Sequence, residues 1–283
     1  MIAFGANARI MGNQFGTRYC GITMLIWINL AIIILGGAAF LQSRRVRSQV
    51  RGLTSQLGRS EAVLRPDLPE EVRNFAIRCG ATGDKRLVRY SQSTEMELKP
   101  GAGWQAYAAS QWVDVSEAGF VWLARQMRWG VVTVQVIDTY VRGQGLLIAW
   151  LLGLVPVARA EGADMNRAEA MRYLAELPWA PDAILSNPSL RWTVLGADRW
   201  QVALGEAQVT FILNADGDIQ EVYANDRPSL EGGKTVLREW RGIFGDYGWI
   251  AGRRIPLTAE VGYIMDGSYA PYFRGRVTDY ALR

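Results

Sequence analysis

The residues best spaced for chemistry are Arg172 and Glu176, four apart in Arg172-Tyr173-Leu174-Ala175-Glu176-Leu177-Pro178-Trp179-Ala180-Pro181. On a helix that spacing puts a guanidinium and a carboxylate side by side on one face. Turned toward a cavity, the face offers Glu176 as an acid or base and Arg172 as a polar gate, with Leu174 and Trp179 as apolar walls. Turned to water, it is an ordinary surface ion pair. Asp138-Thr139-Tyr140-Val141-Arg142-Gly143 supplies a second carboxylate and a tyrosine, on a polar strand end that reads either as a site rim or as a turn. Trp122 and Trp150 complete a candidate ligand-binding set of Trp122, Asp138, Tyr140, Trp150, Arg172, Leu174, Glu176 and Trp179. Apolar walls with a few orienting polar groups are the usual make-up of a small-molecule pocket.

What is missing narrows the chemistry further. The chain has no histidine, which removes Ser-His-Asp and Cys-His catalysis, histidine metal sites and the common general base near neutral pH. Its two cysteines, Cys20 and Cys79, build neither a disulfide framework nor a thiolate metal site. No cofactor, metal or catalytic residue is expected, and an enzyme would have to work with carboxylates, Lys or Tyr.

Four further motifs read more simply as structure. Trp240-Arg241-Gly242-Ile243-Phe244-Gly245-Asp246-Tyr247 and Phe273-Arg274-Gly275-Arg276-Val277-Thr278-Asp279-Tyr280 share the pattern aromatic-Arg-Gly-x-x-x-Asp-Tyr. Arg241 and Arg274 could line an anion site, but two bent strands with local Arg–Asp pairs are the simpler reading. Asn214-Ala215-Asp216-Gly217-Asp218 is a hairpin turn rather than a calcium loop, because the full ligand spacing is absent. Gly80-Ala81-Thr82-Gly83-Asp84-Lys85 lacks the spacing and the Ser/Thr of a phosphate loop. Cys79 reads as a packed thiol.

Charge divides the chain. Residues 1–60 hold seven arginines and no acid, which leaves 24 of the 31 Lys and Arg against all 27 acids in residues 61–283. The basic pI of about 9.2 therefore comes from the N-terminal segment, and nucleic acid is not an expected partner. Within that segment Gly21–Leu41 is apolar, with Asn29 its strongly polar exception. A helix of about 20 such residues matches a bilayer core. A transmembrane helix over 21–42 is therefore expected, between a tail at 1–20 and a basic juxtamembrane segment at 43–64. Arg44, Arg45, Arg47 and Arg51 after the span outnumber Arg9 and Arg18 before it. The positive-inside rule then places the domain in the cytoplasm, with the collar against anionic membrane lipid.

Residues 65–283 are expected to form one α+β domain. A short helix over 68–77 precedes strands at 87–98, 104–113, 120–127, 131–140 and 146–154. The last of these is apolar on both faces, which calls for cover on both sides. A helix follows, capped by Asn166 with Glu169 three residues on and ended by Pro178. Strands then follow at 191–194, 200–204, 207–213, 219–223, 236–244, 255–263 and 269–278. The implied architecture is a large curved antiparallel sheet packed on a central helix.

Several of these stretches recur together in a known setting. Gly119-Phe120-Val121-Trp122-Leu123-Ala124-Arg125, Asp138–Gly145, Leu152–Val157, Arg172–Glu176 with Trp179 and Pro181, Arg254–Val261 and Tyr272–Gly275 resemble, in that order, a bacterial family known only as a domain of unknown function. The resemblance spans about residues 65–280 and carries over no catalytic residue. Where that family has an acid after Trp122, this chain has Leu123. The implied architecture is also similar to the half-barrels of bacterial lipoprotein and lipid carriers. Together these point to a single-pass protein of the bacterial cell membrane whose domain binds a lipid or other apolar ligand without catalysis. The alternatives are a carboxylate-dependent enzyme acting on a lipid or sugar, or a membrane-associated scaffold.

Overall fold

The computed structural model describes residues 14–98 and 101–283; within the first helix, side chains are described at Trp27, Asn29, Leu30, Gly36–Ala38 and from Phe40 on. That helix, α1, runs from Gln14 to Thr54. The expected span 21–42 lies inside it, although most of the span's side chains, and residues 1–13 of the expected tail, lie outside the described residues. Among the described residues no helix is long and apolar enough to cross a membrane. The chain forms two compact units, Met1–Val46 and Arg47–Arg283.

In the second unit, Leu57 is buried and the Gly58 N–H donates to Asp114 Oδ2 at 2.7 Å. Helix α2 (Glu70–Arg78) starts after Pro69 with Glu70 and Glu71 in its first turn, where acids complement the helix dipole, and buries Val72, Phe75 and Ala76. It stops at Gly80 (φ +82°), where a side chain would collide with the Gly252 carbonyl.

Among the described residues, thirteen strands then form one antiparallel sheet. The first meander is β1 (Leu87–Met96), β2 (Gln105–Asp114), β3 (Phe120–Arg128), β4 (Val131–Val141), β5 (Gln144–Leu151) and β6 (Val155–Glu161). Helix α3 (Ala163–Ala175), a 3-10 turn at Leu177–Trp179 and α4 (Pro181–Ser186) intervene. The second meander is β7 (Arg191–Gly196), β8 (Arg199–Leu204), β9 (Ala207–Leu213), β10 (Ile219–Glu231), β11 (Lys234–Ile250), β12 (Arg253–Met265) and β13 (Ser268–Leu282). Pairing of β1 with β13 joins the two meanders, so β6 and β7 are the edges. The twelve expected strands are all present, and β6 is the addition. It carries Pro156 and is almost wholly exposed, so it lacks the alternating burial that marks a strand.

The central helical segment also departs from expectation. Helix α3 starts at Ala163 after Gly162, so Asn166 lies inside it rather than capping it. The Asn166 side chain instead accepts the Gly145 N–H at 2.7 Å. Gly145 is needed there, because a Cβ would sit 2.5 Å from the Met165 carbonyl oxygen. Pro181 opens α4, where the first helical position has no N–H to lose. Fully buried Asp182 fixes α4 by a two-pronged pair with Arg253, at 2.7 and 2.9 Å. The core lies between this segment and one face of the sheet, hereafter the inner face. At roughly 25 cal/mol per Å² and about 200 Å², burying Trp179 alone is worth about 5 kcal/mol in transfer free energy.

Candidate functional site

Strand register builds the site. Tyr280, Tyr90, Gln111, Trp122, Asp138 and Leu147 are direct cross-strand partners on β13, β1, β2, β3, β4 and β5. Direct partners share a face, so the six side chains form one row on the inner face. Helix α3 lies across the β4–β5 end of that row. Arg172 Nη1 meets Asp138 Oδ2 at 2.5 Å, and its Nε meets Glu176 Oε1 at 2.9 Å. Gln111 closes the ring by donating to Glu176 Oε2. The guanidinium also lies over the rings of Phe120 and Trp122, at 4.8 and 5.0 Å. Burial alone would lower the Arg172 pKa, but Glu176, Asp138 and Glu169 together raise it. With side-chain exposures of 16% and 15%, Arg172 and Glu176 are not the solvated pair of the simpler reading.

A second buried pair adjoins the first. Arg227 Nη2 lies 3.4 Å from Glu169 Oε1, and its Nη1 donates to the Tyr263 hydroxyl at 2.6 Å. Trp240 lies under Arg227 at 4.8 Å and donates to Tyr272, which stacks on Tyr263. Burial pushes the Glu169 carboxyl well above its ordinary range, and the Asp138 carboxylate pushes it further. Asp138 Oδ1 and Glu169 Oε2 find no donor among the described residues. Burial and the Asp138 carboxylate thus both favour the neutral form of the Glu169 carboxyl. The result is a chain of polar groups from Gln111 to Tyr272 with its charges internally balanced.

The structure thus brings Trp122, Asp138, Arg172 and Glu176 together. Tyr140 shares their face one position further along β4, beside Phe120. Leu174 and Trp179 lie in the core: Trp179 donates to the Pro256 carbonyl at 2.7 Å and packs on Tyr90 and Phe244. Trp150 is not among them. It pairs in register with Gln135, whose neighbour across β3 is Arg125, on the opposite, outer face. Sequence reasoning missed Gln111, Glu169, Arg227, Tyr263 and Tyr272. The alternation Tyr107, Ala109, Gln111, Val113 in β2 carried the one available signal, a polar residue on an otherwise apolar face.

The remaining motifs resolve as local structure. Arg241 pairs with Glu221 at 3.3 Å, while Arg274 pairs with Glu95 at 2.7 Å and lies over Trp104. Asp218 is held by Arg254 at 2.5 and 2.7 Å, and Asn214 caps its own turn through the Asp216 and Asp218 N–H groups. Cys79 is buried, and burial pushes its thiol up to about 11.

The outer face is of a different kind. A groove of about 480 Å³ crosses β1–β3, lined among others by Ser91, Ser93, Ser110, Leu123, Arg125 and Met127. Arg125 is half-buried, and its Nε donates to Gln135 Oε1 at 3.4 Å. Beyond Met127, the hairpin tips β3–β4 and β5–β6 sit side by side, joined by the Leu152 N–H donating to the Thr133 carbonyl at 2.7 Å. Trp129 (φ +49°) and Leu152 (φ +53°) occupy the left-handed positions of these turns. Both are exposed, Trp129 at 94%. Met127, Val131, Leu151, Val155 and Val157 are exposed around them.

By sequence, the model of a family of unknown function, DUF6544, matches residues 59–275. No curated protein matches. Among solved structures, the chain is similar to a DUF1329 family protein from Desulfovibrio piger, with TM-score 0.46, 10% identity and coverage of 75% of this chain and 91% of that one. A putative outer membrane lipoprotein-sorting protein domain from Vibrio parahaemolyticus gives the same four values. A LolA superfamily protein from Nitrosomonas europaea gives TM-score 0.39 and 12% identity, over 78% of this chain and 94% of that one.

Proposed function

The chain belongs to the family of unknown function DUF6544, and from that premise we propose that it is a membrane-anchored, non-catalytic domain that binds lipid at the bilayer surface. The observation that supports this most is the pair of apolar hairpin tips, Trp129 and Leu152. Turns of the same two-residue form elsewhere carry Arg142, Ala251 and Asp266 in the left-handed position. A large apolar side chain is therefore not a need of the turn, and it is unfavourable there. Seven exposed large apolar residues gathered on protruding tips form a patch that water disfavours and an interface would cover. Tryptophan suits the boundary between headgroups and acyl chains. Near the tips the chain carries Arg125 and Arg128, with no acid between residues 119 and 137. That charge complements anionic lipid.

In this reading the apolar run 21–41 is the anchor, Arg44, Arg45, Arg47 and Arg51 meet lipid headgroups, and the domain faces the cytoplasm. The inner-face network serves as structure, since its charges are satisfied within the fold. Full-length protein in nanodiscs with brominated acyl chains tests the proposal. Tryptophan emission should be quenched, with less quenching in Trp129→Phe and no change in Trp249→Phe, which removes an exposed ring outside the corner. Equal quenching in all three proteins would overturn it.

A carboxylate enzyme is the second reading, because Asp138 and Glu176 do converge, on Arg172. Under it, Glu176→Gln would abolish lipid or glycan turnover by the full chain while leaving the melting temperature within a few degrees.

A further inference from the structure

We infer that the outer-face groove around Arg125 binds the phosphate group of an anionic amphiphile, its apolar part lying along Met127 toward Trp129. The inference rests on the membrane-surface reading for the source of its ligand, but its geometry is separate.

Arg125 stands apart from the other buried cations of the domain. Arg172 and Arg253 each meet a carboxylate, and Arg227 lies against the Glu169 carboxyl. Among the described residues, no carboxylate pairs with Arg125. Burial, and then the nearby charge of Arg47, hold its pKa below the ordinary arginine value. A guanidinium in that position lacks the anion that would repay its desolvation. Beside it Gln135 is 5% exposed, accepts from Arg125 and leaves its own Nε2 without an acceptor. The reverse amide orientation would point N–H groups at the guanidinium, so the orphaned donor follows from the pairing. Arg125, with no carboxylate, and the unpaired Gln135 Nε2 beside it define a place for an acceptor-rich group.

The groove's walls narrow the choice. Ser91, Ser93 and Ser110 bring three hydroxyls to the same groove as Arg125. That is more donor capacity than the two oxygens of a carboxylate require, and it suits phosphate oxygens. Leu123 and Met127 also line it, and Met127 belongs to the exposed corner with Trp129. Along β3 Arg125 stands between Leu123 and Met127, so the groove sets its cation beside apolar side chains. At about 480 Å³ it takes a headgroup and the start of a chain, not a whole two-chain lipid.

The test uses full-length protein in a neutral maltoside detergent, titrated calorimetrically with dihexanoyl phosphatidylglycerol, inorganic phosphate and neutral dihexanoylglycerol. The expected result is near-stoichiometric binding of the phosphatidylglycerol, weakened at least tenfold in Arg125→Gln and in Ser110→Asp, which sets a negative charge in the groove. Inorganic phosphate binding as tightly, with the same dependence on Arg125, would assign the site to a free phosphate. Failure of both phosphate probes to bind, or wild-type binding by folded Arg125→Gln, would overturn the inference. Loss of Trp129 quenching with phosphate-dependent binding intact would instead remove the membrane-surface reading and leave the groove standing.

Discussion

The two faces of the β1–β5 sheet treat charge in opposite ways. On the inner face Arg172 and Arg227 are deeply buried, yet each lies against a carboxyl group. On the outer face Arg125 is less buried but has no carboxylate among the described residues, and apolar side chains stand in water a few residues away. The inner cluster draws attention as an active centre because it gathers acids and bases. Its charges, however, are neutralised by one another and covered by helix. At the Arg125 groove and the hairpin tips the outer face leaves a cation and apolar surface unmatched, which is where an outside partner gains most. Ligand sites are better sought where the fold leaves interactions unmade than where it has completed them.

The strongest way to break this contrast is to remove one arginine from each face. Arg172→Met strands Asp138 and Glu176 as buried carboxylates and should cost about 3–5 kcal/mol in urea unfolding of the full chain. Arg125→Met removes a cation that no carboxylate compensates and should leave stability within about 0.5 kcal/mol of wild type or raise it. Equal losses would show that both arginines serve the fold. The tryptophans give a second pair. Trp122→Ala, beneath Arg172, should cost about 3–5 kcal/mol. Trp150→Ala, beside Gln135 on the outer face but itself buried, should cost a similar amount, since its ring is packing too.

The strands were legible in the sequence because alternation and turn residues mark them locally. β6 was not, since an exposed edge strand has no buried face to reveal it. The site was legible only in part. Arg172 and Glu176 announce themselves by their spacing, whereas the row Gln111, Trp122, Asp138 exists only once register across three strands is set. Trp150 was misplaced for the same reason: β5 is apolar on both faces, so nothing in its own residues says which face meets α3. Glu169 sat three residues after Asn166 and imitated a capping box, while its partner Arg227 lies 58 residues away on β10. The Arg125 groove is defined by what its neighbours lack, which no local pattern expresses.

A smaller effect sharpens the account of the inner face through pH. The Glu169 carboxyl is held well above its ordinary value of 4.5 by burial and by Asp138. Between that value and its folded pKa the folded chain keeps a proton that the unfolded chain releases. The contribution is therefore complete below about pH 4.5 and is lost as pH rises toward the folded pKa, at about 1.4 kcal/mol per unit across that window. Glu169→Gln can donate to Asp138 and accept from Arg227 without titrating. Its melting temperature relative to wild type should thus rise steadily from pH 5 to pH 8. A difference independent of pH would mean that Glu169 is already ionised in the folded state.

The smallest expected change bears on the outer face and has the opposite sign from ordinary damage. Trp129 holds a φ of +49° at the tip of a two-residue turn followed by Gly130. Asparagine is the residue that such a turn prefers, and the left-handed conformation costs a bulky side chain about 1–2 kcal/mol. Exposed as it is, Trp129 makes little packing to offset that cost. Trp129→Asn should therefore stabilise the domain by about 0.5–1 kcal/mol, read as a raised urea midpoint, while lowering its contact with brominated lipid. A residue that weakens the fold where it stands is retained for something outside the fold. If Trp129→Asn lowered stability instead, the tip would be packed, and the outer face would lose its claim to an external partner.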